Sequence, residues 1–238
     1  MPDRAAIEKG LAVVRDAILD AWALLQPIEC LGCAALDRAL CDRCRAAIAA
    51  APPRPVACDA DVPVLVWCAA DYEGPVREAI LSLKERSRPD AARPLAGILA
   101  TAVAAALAAI ARDGTPSVEL AWVPSSRAAL RRRGLDPVLA VIDAARLPRS
   151  RVLRSRSGAA QKRLARRERL AIAPDRFRAR SRLDGRRFLL VDDVATTGAT
   201  LAAAIAAIER AGGRVLAAAV IAAPAFSDRS GMTERFRQ

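Results

Sequence analysis

The chain has 238 residues, a length that fits one α/β domain of ordinary size with a small module attached. Apolar residues make up 53% of it, which excludes a chain unable to build a core, but with eight aromatics the packing must rely on small side chains. The formal charge of +12 sits in one segment: residues 127–187 carry 20 Arg or Lys against 5 Asp or Glu, a net +15, leaving about −3 elsewhere. A GC-rich genome accounts for Arg in place of Lys, since only Lys9, Lys84 and Lys162 are lysines, but it does not account for the clustering. Clustered positive charge points to contact with a polyanion such as pyrophosphate or nucleic acid.

In chain order, the apolar spacing of Leu11, Val14, Ile18, Trp22 and Leu25 predicts a helix over residues 5–25. Its start has Asp3 and Glu8 and lacks a compact apolar run with a cleavage site, so no secretory signal is expected. A cysteine-rich stretch from Cys30 to Arg45 follows, then Ala51–Pro55 (APPRP), which reads as a linker or stiff turn. Val62–Ala70 is strand-like, and Gly74-Pro75 punctuates the start of a helix over Pro75–Lys84. Pro94–Ala111 is long enough to span a bilayer, yet it is mostly Ala, which contributes little to insertion. A buried or half-buried helix is expected there, with no membrane span.

Val118–Val123 is a short apolar run opening into a loop at Pro124, Asp136–Ala145 is helical, and Arg151–Leu153 is a brief strand. Ser155–Arg182 is polar and Arg-dense, so a mobile loop is expected. Arg187–Val191 predicts a buried strand, Ala199–Ala211 a helix closed by Gly212-Gly213, and Arg214–Ala223 another strand. Strands alternating with helices point to an α/β fold with a mainly parallel, doubly wound sheet. The domain division expected is an N-terminal helix and cysteine module over 1–60 and the α/β domain over 61–238.

Cys30-x2-Cys33 and Cys41-x2-Cys44 are two CxxC pairs separated by seven residues. Two such knuckles bring four thiolates into a closed tetrahedral cage suited to structural Zn²⁺. A [4Fe–4S] cluster or a redox CxxC are the alternative readings. Gly32 is expected to permit the turn that carries the backbone past the sulfurs. Cys58 and Cys68 have no spacing partner, and Cys68 reads as a buried small hydrophobe. Paired cysteines without an export signal suit a reducing, cytoplasmic setting.

In Phe188–Leu201 (FLLVDDVATTGATL) a hydrophobic strand delivers two acids and a small polar loop to the start of a helix. Asp192 and Asp193 stand where open α/β sheets bind ligands, able to accept hydrogen bonds from ribose hydroxyls or to hold a hydrated Mg²⁺. Thr196, Thr197, Gly198, Ala199 and Thr200 offer hydroxyls and N–H groups to a phosphate at the helix N-terminus.

This segment resembles the 5-phosphoribosyl-1-pyrophosphate (PRPP) signature of type I phosphoribosyltransferases. The resemblance implies that the acids address the ribose hydroxyls and that the TTGAT loop takes the 5-phosphate. Together with the double CxxC, Tyr72-x-Gly74-Pro75, Lys84, Arg131–Gly134 (RRRG) and Gln161–Arg169 (QKRLARRER), the chain is similar to the ComF family, phosphoribosyltransferase-like proteins associated with DNA uptake in natural transformation. It implies a pyrophosphate loop over Pro124–Gly134, with Arg131, Arg133 and Gly134 in it, and a mobile closing loop over Ser155–Arg182. Three departures stand out. One knuckle pair is absent, leaving Cys58 and an expectation of one zinc. Leu135-Asp136-Pro137 replaces the usual Phe-Asn-Gln, and a carboxylate there is expected to disfavour pyrophosphate. Gln161-Lys162 alters the usual Gln-Ser/Thr at the start of the mobile loop.

Two functional classes follow. One is Mg²⁺-dependent phosphoribosyl transfer, in which Arg131 and Arg133 hold the leaving pyrophosphate and, with no His in the chain, Asp192, Asp193 or the acceptor serves as base. The other is a DNA-handling protein that uses the pocket for binding, with single-stranded DNA and DNA-uptake or recombination proteins as partners. A regulator that senses PRPP is a third reading.

Overall fold

The computed structural model describes residues 29–36, 38–49, 52–112, 114, 117–156 and 176–225. The helix expected at 5–25 and Gln161–Arg169 lie outside the described residues. Twelve apolar residues of Arg187–Val194 and Arg214–Ala223 have no exposure above 3%, which makes these two strands the centre of the fold. Among the described residues the central sheet has five strands: β1 (Arg54–Val56), β2 (Leu65–Asp71), β3 (Glu119–Trp122), β6 (Arg187–Val194) and β7 (Arg214–Ala223), in the order β1-β2-β7-β6-β3. All pairs are parallel except the antiparallel edge β1–β2. The strands between, β4 (Leu153–Ser155) and β5 (Phe177–Ala179), pair antiparallel in a separate hairpin.

A parallel sheet needs cover on both faces. Along β6, Leu189 and Val191 join one core while Phe188 and Leu190 join the other, as the two-residue period of a strand requires. The first face is covered by α1 (Asp42–Ala49), α2 (Gly74–Glu85), α3 (Ala92–Arg112) and α5 (Pro137–Ala144). The second is covered by α6 (Ala199–Glu209) and the β4–β5 hairpin. The helix α3 is long and apolar enough to cross a membrane, yet here Leu95, Leu99, Ala102 and Ala106 are fully buried and the helix packs on β2, β7 and α5. Its small residues meet small residues of β7: Ala102 and Ala106 share a core with Ala217, Ala219 and Ala222.

Several expectations change. The stretch read as a linker contributes β1, which starts at Arg54 and pairs Pro55 with Trp67. Proline is tolerated there because an edge strand leaves one side of its backbone unpaired. The expected pyrophosphate loop contains a short helix, α4 (Arg127–Arg133), whose N-cap Ser126 accepts from Ala129 N at 3.1 Å and whose C-cap Gly134 adopts φ 73°. The segment expected as a mobile loop includes β5 and part of β4. The acids do not follow β6 but lie in it: Asp192 pairs with Val220 and Val194 with Ala222.

Candidate functional site

β3 and β6 are neighbours in the sheet, so the segments after their carboxyl ends share one edge. The β6 end carries the two acids. Asp192 is 6% exposed, and its Oδ1 accepts from Asp193 N at 2.8 Å. Burial first, and then the Asp193 carboxylate, push Asp192 well above the usual carboxylate range, against the pull of Lys84 and Arg176. Asp193 is half-buried and accepts from Lys84 Nζ at 2.8 Å. Two adjacent acids are therefore held side by side, one buried and one half-buried and paired to a cation. A bound cation or hydroxyl donors facing Asp192 would oppose that upward shift.

The next residues form the loop. Ala195 N donates to Ala222 O at 3.0 Å, which ties the loop to β7. Thr196 and Thr197 are exposed, while Ala199 and Thr200 are half-buried at the start of α6. Gly198 is the N-cap of α6 with φ 79°, in the left-handed region that favours glycine. A second constraint acts on it: a Cβ there would lie 2.5 Å from Cys58 Cβ and 2.9 Å from Val62 Cγ2. Ala60 N also donates to Thr197 O at 2.7 Å. The segment between β1 and β2 is thus packed against the back of the loop and fixes its height above the sheet. The exposed side, with two threonine hydroxyls and the first N–H groups of an 11-residue helix, is suited to an anion.

Cations approach from three elements. Arg176, just before β5, donates from Nη1 to Thr200 Oγ1 at 2.9 Å. At the end of α2, Lys84 holds Asp193 while the next residue, Glu85, accepts from Arg133 Nη2 at 3.2 Å. One dipeptide thereby links the acid pair of β6 to the arginine helix after β3. Arg133 Nε is buried with no partner among the described residues. Arg131 is exposed. Asp136 does not stand free: Oδ1 accepts from Leu139 N at 3.4 Å as the N-cap of α5, and Oδ2 accepts from Ser125 N at 2.9 Å. Its charge is taken up by backbone N–H donors that also brace the segment after β3.

The four cysteines form the second cluster. Their sulfurs all lie within 4.8 Å of one another, and Cys33 Sγ is 3.8 Å from Cys41 Sγ. A tetrahedron with Zn–S bonds of about 2.3 Å has edges of about 3.8 Å, so the donor set fits zinc. Burial raises the Cys30 thiol, but N–H donors from Cys41, Gly32 and Cys33 outweigh it and hold its pKa at about 6. Burial and the neighbouring sulfurs push Cys44 up to about 12. Gly32 N and Cys41 N donate to Cys30 Sγ at 3.5 Å and 3.3 Å, an arrangement that suits a metal-bound thiolate. Gly32 serves by its size: a Cβ would come within 2.8 Å of Cys44 Sγ and 2.9 Å of Pro75 Cβ. The positive φ of the turn belongs to Ala34, at 57°.

Sequence reasoning did not assign Lys84 or Arg176 to the acid pair and loop, nor Cys58 and Val62 to the back of the loop. The Lys84 contact joins residues far apart in the chain and leaves no local signature. A comparison with curated proteins gives no match. Residues 128–232 match the phosphoribosyl transferase domain family, a stretch that takes in Arg131–Arg133, β6, the loop and α6 and follows the N-terminal four-cysteine cluster.

Proposed function

We propose that the chain binds PRPP, or a related ribose phosphate, with Asp192 and Asp193 facing the ribose hydroxyls and Mg²⁺ and Thr196–Thr200 taking the 5-phosphate. The observation that carries this reading is the loop at Gly198, whose φ of 79° and close backing by Cys58 present the N-terminus of α6 beside the buried Asp192 and the half-buried Asp193. Lys84 and Arg176 would exchange their present partners, Asp193 and Thr200, for ligand oxygens. Cys30, Cys33, Cys41 and Cys44 would hold one structural Zn²⁺, which leaves no open position for chemistry. The wider role is that of a ComF-like protein in DNA uptake and natural transformation, in the cytoplasm, with single-stranded DNA and DNA-uptake or recombination proteins as partners. The net +15 of residues 127–187 supports that role.

A second reading is active, Mg²⁺-dependent phosphoribosyl transfer, and Asp136 favours keeping it. Because both of its oxygens accept backbone N–H donors, it does not present a free carboxylate to a pyrophosphate. In such a transfer the bond from ribose C1 to pyrophosphate breaks with its electron pair leaving on pyrophosphate, and the acceptor nitrogen bonds to C1. Arg131 and Arg133 would meet the departing charge.

Calorimetric titration of the chain with PRPP and Mg²⁺ tests the binding. Asp192→Asn with Asp193→Asn is expected to weaken PRPP by about 100-fold, roughly 3 kcal/mol. Unchanged affinity in that double variant overturns the site. Pyrophosphate release over a panel of bases separates the two readings: release dependent on both acids establishes transfer, and binding without release supports the binding protein.

A further inference from the structure

The helix α2 ends on two residues whose side chains serve different halves of the site. Lys84 Nζ donates to Asp193 Oδ1 at 2.8 Å, and Glu85 Oε1 accepts from Arg133 Nη2 at 3.2 Å. Adjacent Cα atoms lie about 3.8 Å apart, so one step of backbone sets the spacing between the acids of β6 and the end of α4. Of the three consecutive arginines there, Arg131 and Arg132 are exposed. The Arg133 side chain is only 16% exposed, with Nε buried. We infer that Glu85 is a positioning residue: it sets the Arg133 guanidinium for the pyrophosphate end of the ligand, and with it the preference for PRPP over ribose 5-phosphate. The inference rests on the ribose-phosphate reading above.

An arginine at the last position of a short helix has many rotamers, and a ligand that must order it loses affinity. Here both ends of the side chain are held beforehand. Its backbone is closed by Gly134, whose N–H donates to Leu130 O at 2.8 Å, and its guanidinium is met by Glu85. Nε has no acceptor among the described residues, so Glu85 is the hydrogen-bond partner there that orients the group. A guanidinium carries five N–H donors in a rigid planar fork. A carboxylate on Nη2 fixes that plane and leaves donors on the terminal nitrogens for a second anion. Glu85 also carries charge that would repel pyrophosphate. Its side chain is 55% exposed, however, so water and salt screen that repulsion, while the gain from a directed guanidinium acts at contact distance. The same exposure makes the pair a minor contributor to folding, so its effect belongs in ligand discrimination.

Calorimetric titration of the full chain with PRPP and Mg²⁺, and separately with ribose 5-phosphate, tests the inference, with circular dichroism checking that each variant is folded. The parent chain is expected to favour PRPP. Glu85→Ala is expected to weaken PRPP by about fivefold, the cost of ordering one long side chain on binding, and to leave ribose 5-phosphate unchanged. With Arg133→Ala already in place, Glu85→Ala is expected to add nothing, because its effect passes through that side chain. A loss shared equally by both ligands, unchanged or tighter PRPP binding, or a full additional loss in the Arg133→Ala background would each overturn the inference and leave the ribose-phosphate site standing. A parent chain that binds neither ligand would overturn the site itself, and the inference with it.

Discussion

Gly198 is under two independent constraints, a left-handed backbone and a space already filled by Cys58 and Val62. Gly198→Ala is expected to destabilise the chain by about 2–4 kcal/mol and to abolish ribose-phosphate binding, read by thermal denaturation with and without PRPP. Adding Cys58→Gly to the same chain should restore the part due to crowding against Cys58 and leave the part due to the backbone and Val62. If the pair is as unstable as the single variant, crowding against Cys58 contributes nothing. The glycine was legible in the sequence, since TTGAT after a strand and before a helix needs a tight turn there. Its packing partner was not, because Cys58 has no spacing relation to the motif. Asp136 shows the opposite case: its identity departed from the family pattern, and only its position at the start of α5, before Pro137, gives the reason, a cap that also accepts Ser125 N. An acid before a proline at a helix start is a capping signal, and the expectation of repulsion passed over it.

Among elements, β3 and β6 are held together at the end away from the site. Arg186, just before β6, donates to Glu119 at the start of β3 through Nε at 2.7 Å and Nη2 at 2.6 Å. Those bonds, with Ser150 Oγ donating to the same carboxylate, hold Glu119 down at about 2. Its stabilisation is therefore present above the ordinary glutamate range and fades as pH falls from about 4.5 towards 2. Glu119→Gln is expected to lower stability at neutral pH, to match the parent chain near pH 2, and to leave PRPP affinity unchanged. Urea denaturation across that range checks it, and a pH-independent difference would refute the ionic cause. The long elements were legible because α3 and β7 carry enough turns or alternations to show their period. The short ones were not. α4 spans seven residues, less than two full turns, and its Arg131–Arg133 run drew attention from the Ser126 and Gly134 caps that mark its ends. β5 has three residues, too few for alternation to stand out in an arginine-rich stretch.

For the whole molecule, the cysteine cluster is part of the main interior and not an appendage. Cys30, Leu31, Leu40, Cys44 and Ile48 share one core with Val76 and Ile80 of α2 and Leu95 of α3, and Arg88 Nη1 donates to Glu29 O at 2.7 Å. Gly32 rests against Pro75, at the start of the helix whose other end carries Lys84. Cys44→Ser is expected to destabilise the chain by about 3 kcal/mol or more, near 10 °C in melting temperature, and to weaken PRPP through α2. Calorimetry with metal analysis reads both, and an unchanged melting temperature would show that the cluster bears no structural metal.

The alanine seam between α3 and β7 also bears on how this sequence can change. Alanine and valine codons differ by a single base, so the commonest enlargement at Ala102, Ala106, Ala217 or Ala219 is one replication error away. Each added pair of methyl groups would push a helix off a sheet that has no slack, at about 1–3 kcal/mol. Lineages of this protein are therefore expected to keep this interior strip fixed at the smallest side chain that still carries a Cβ.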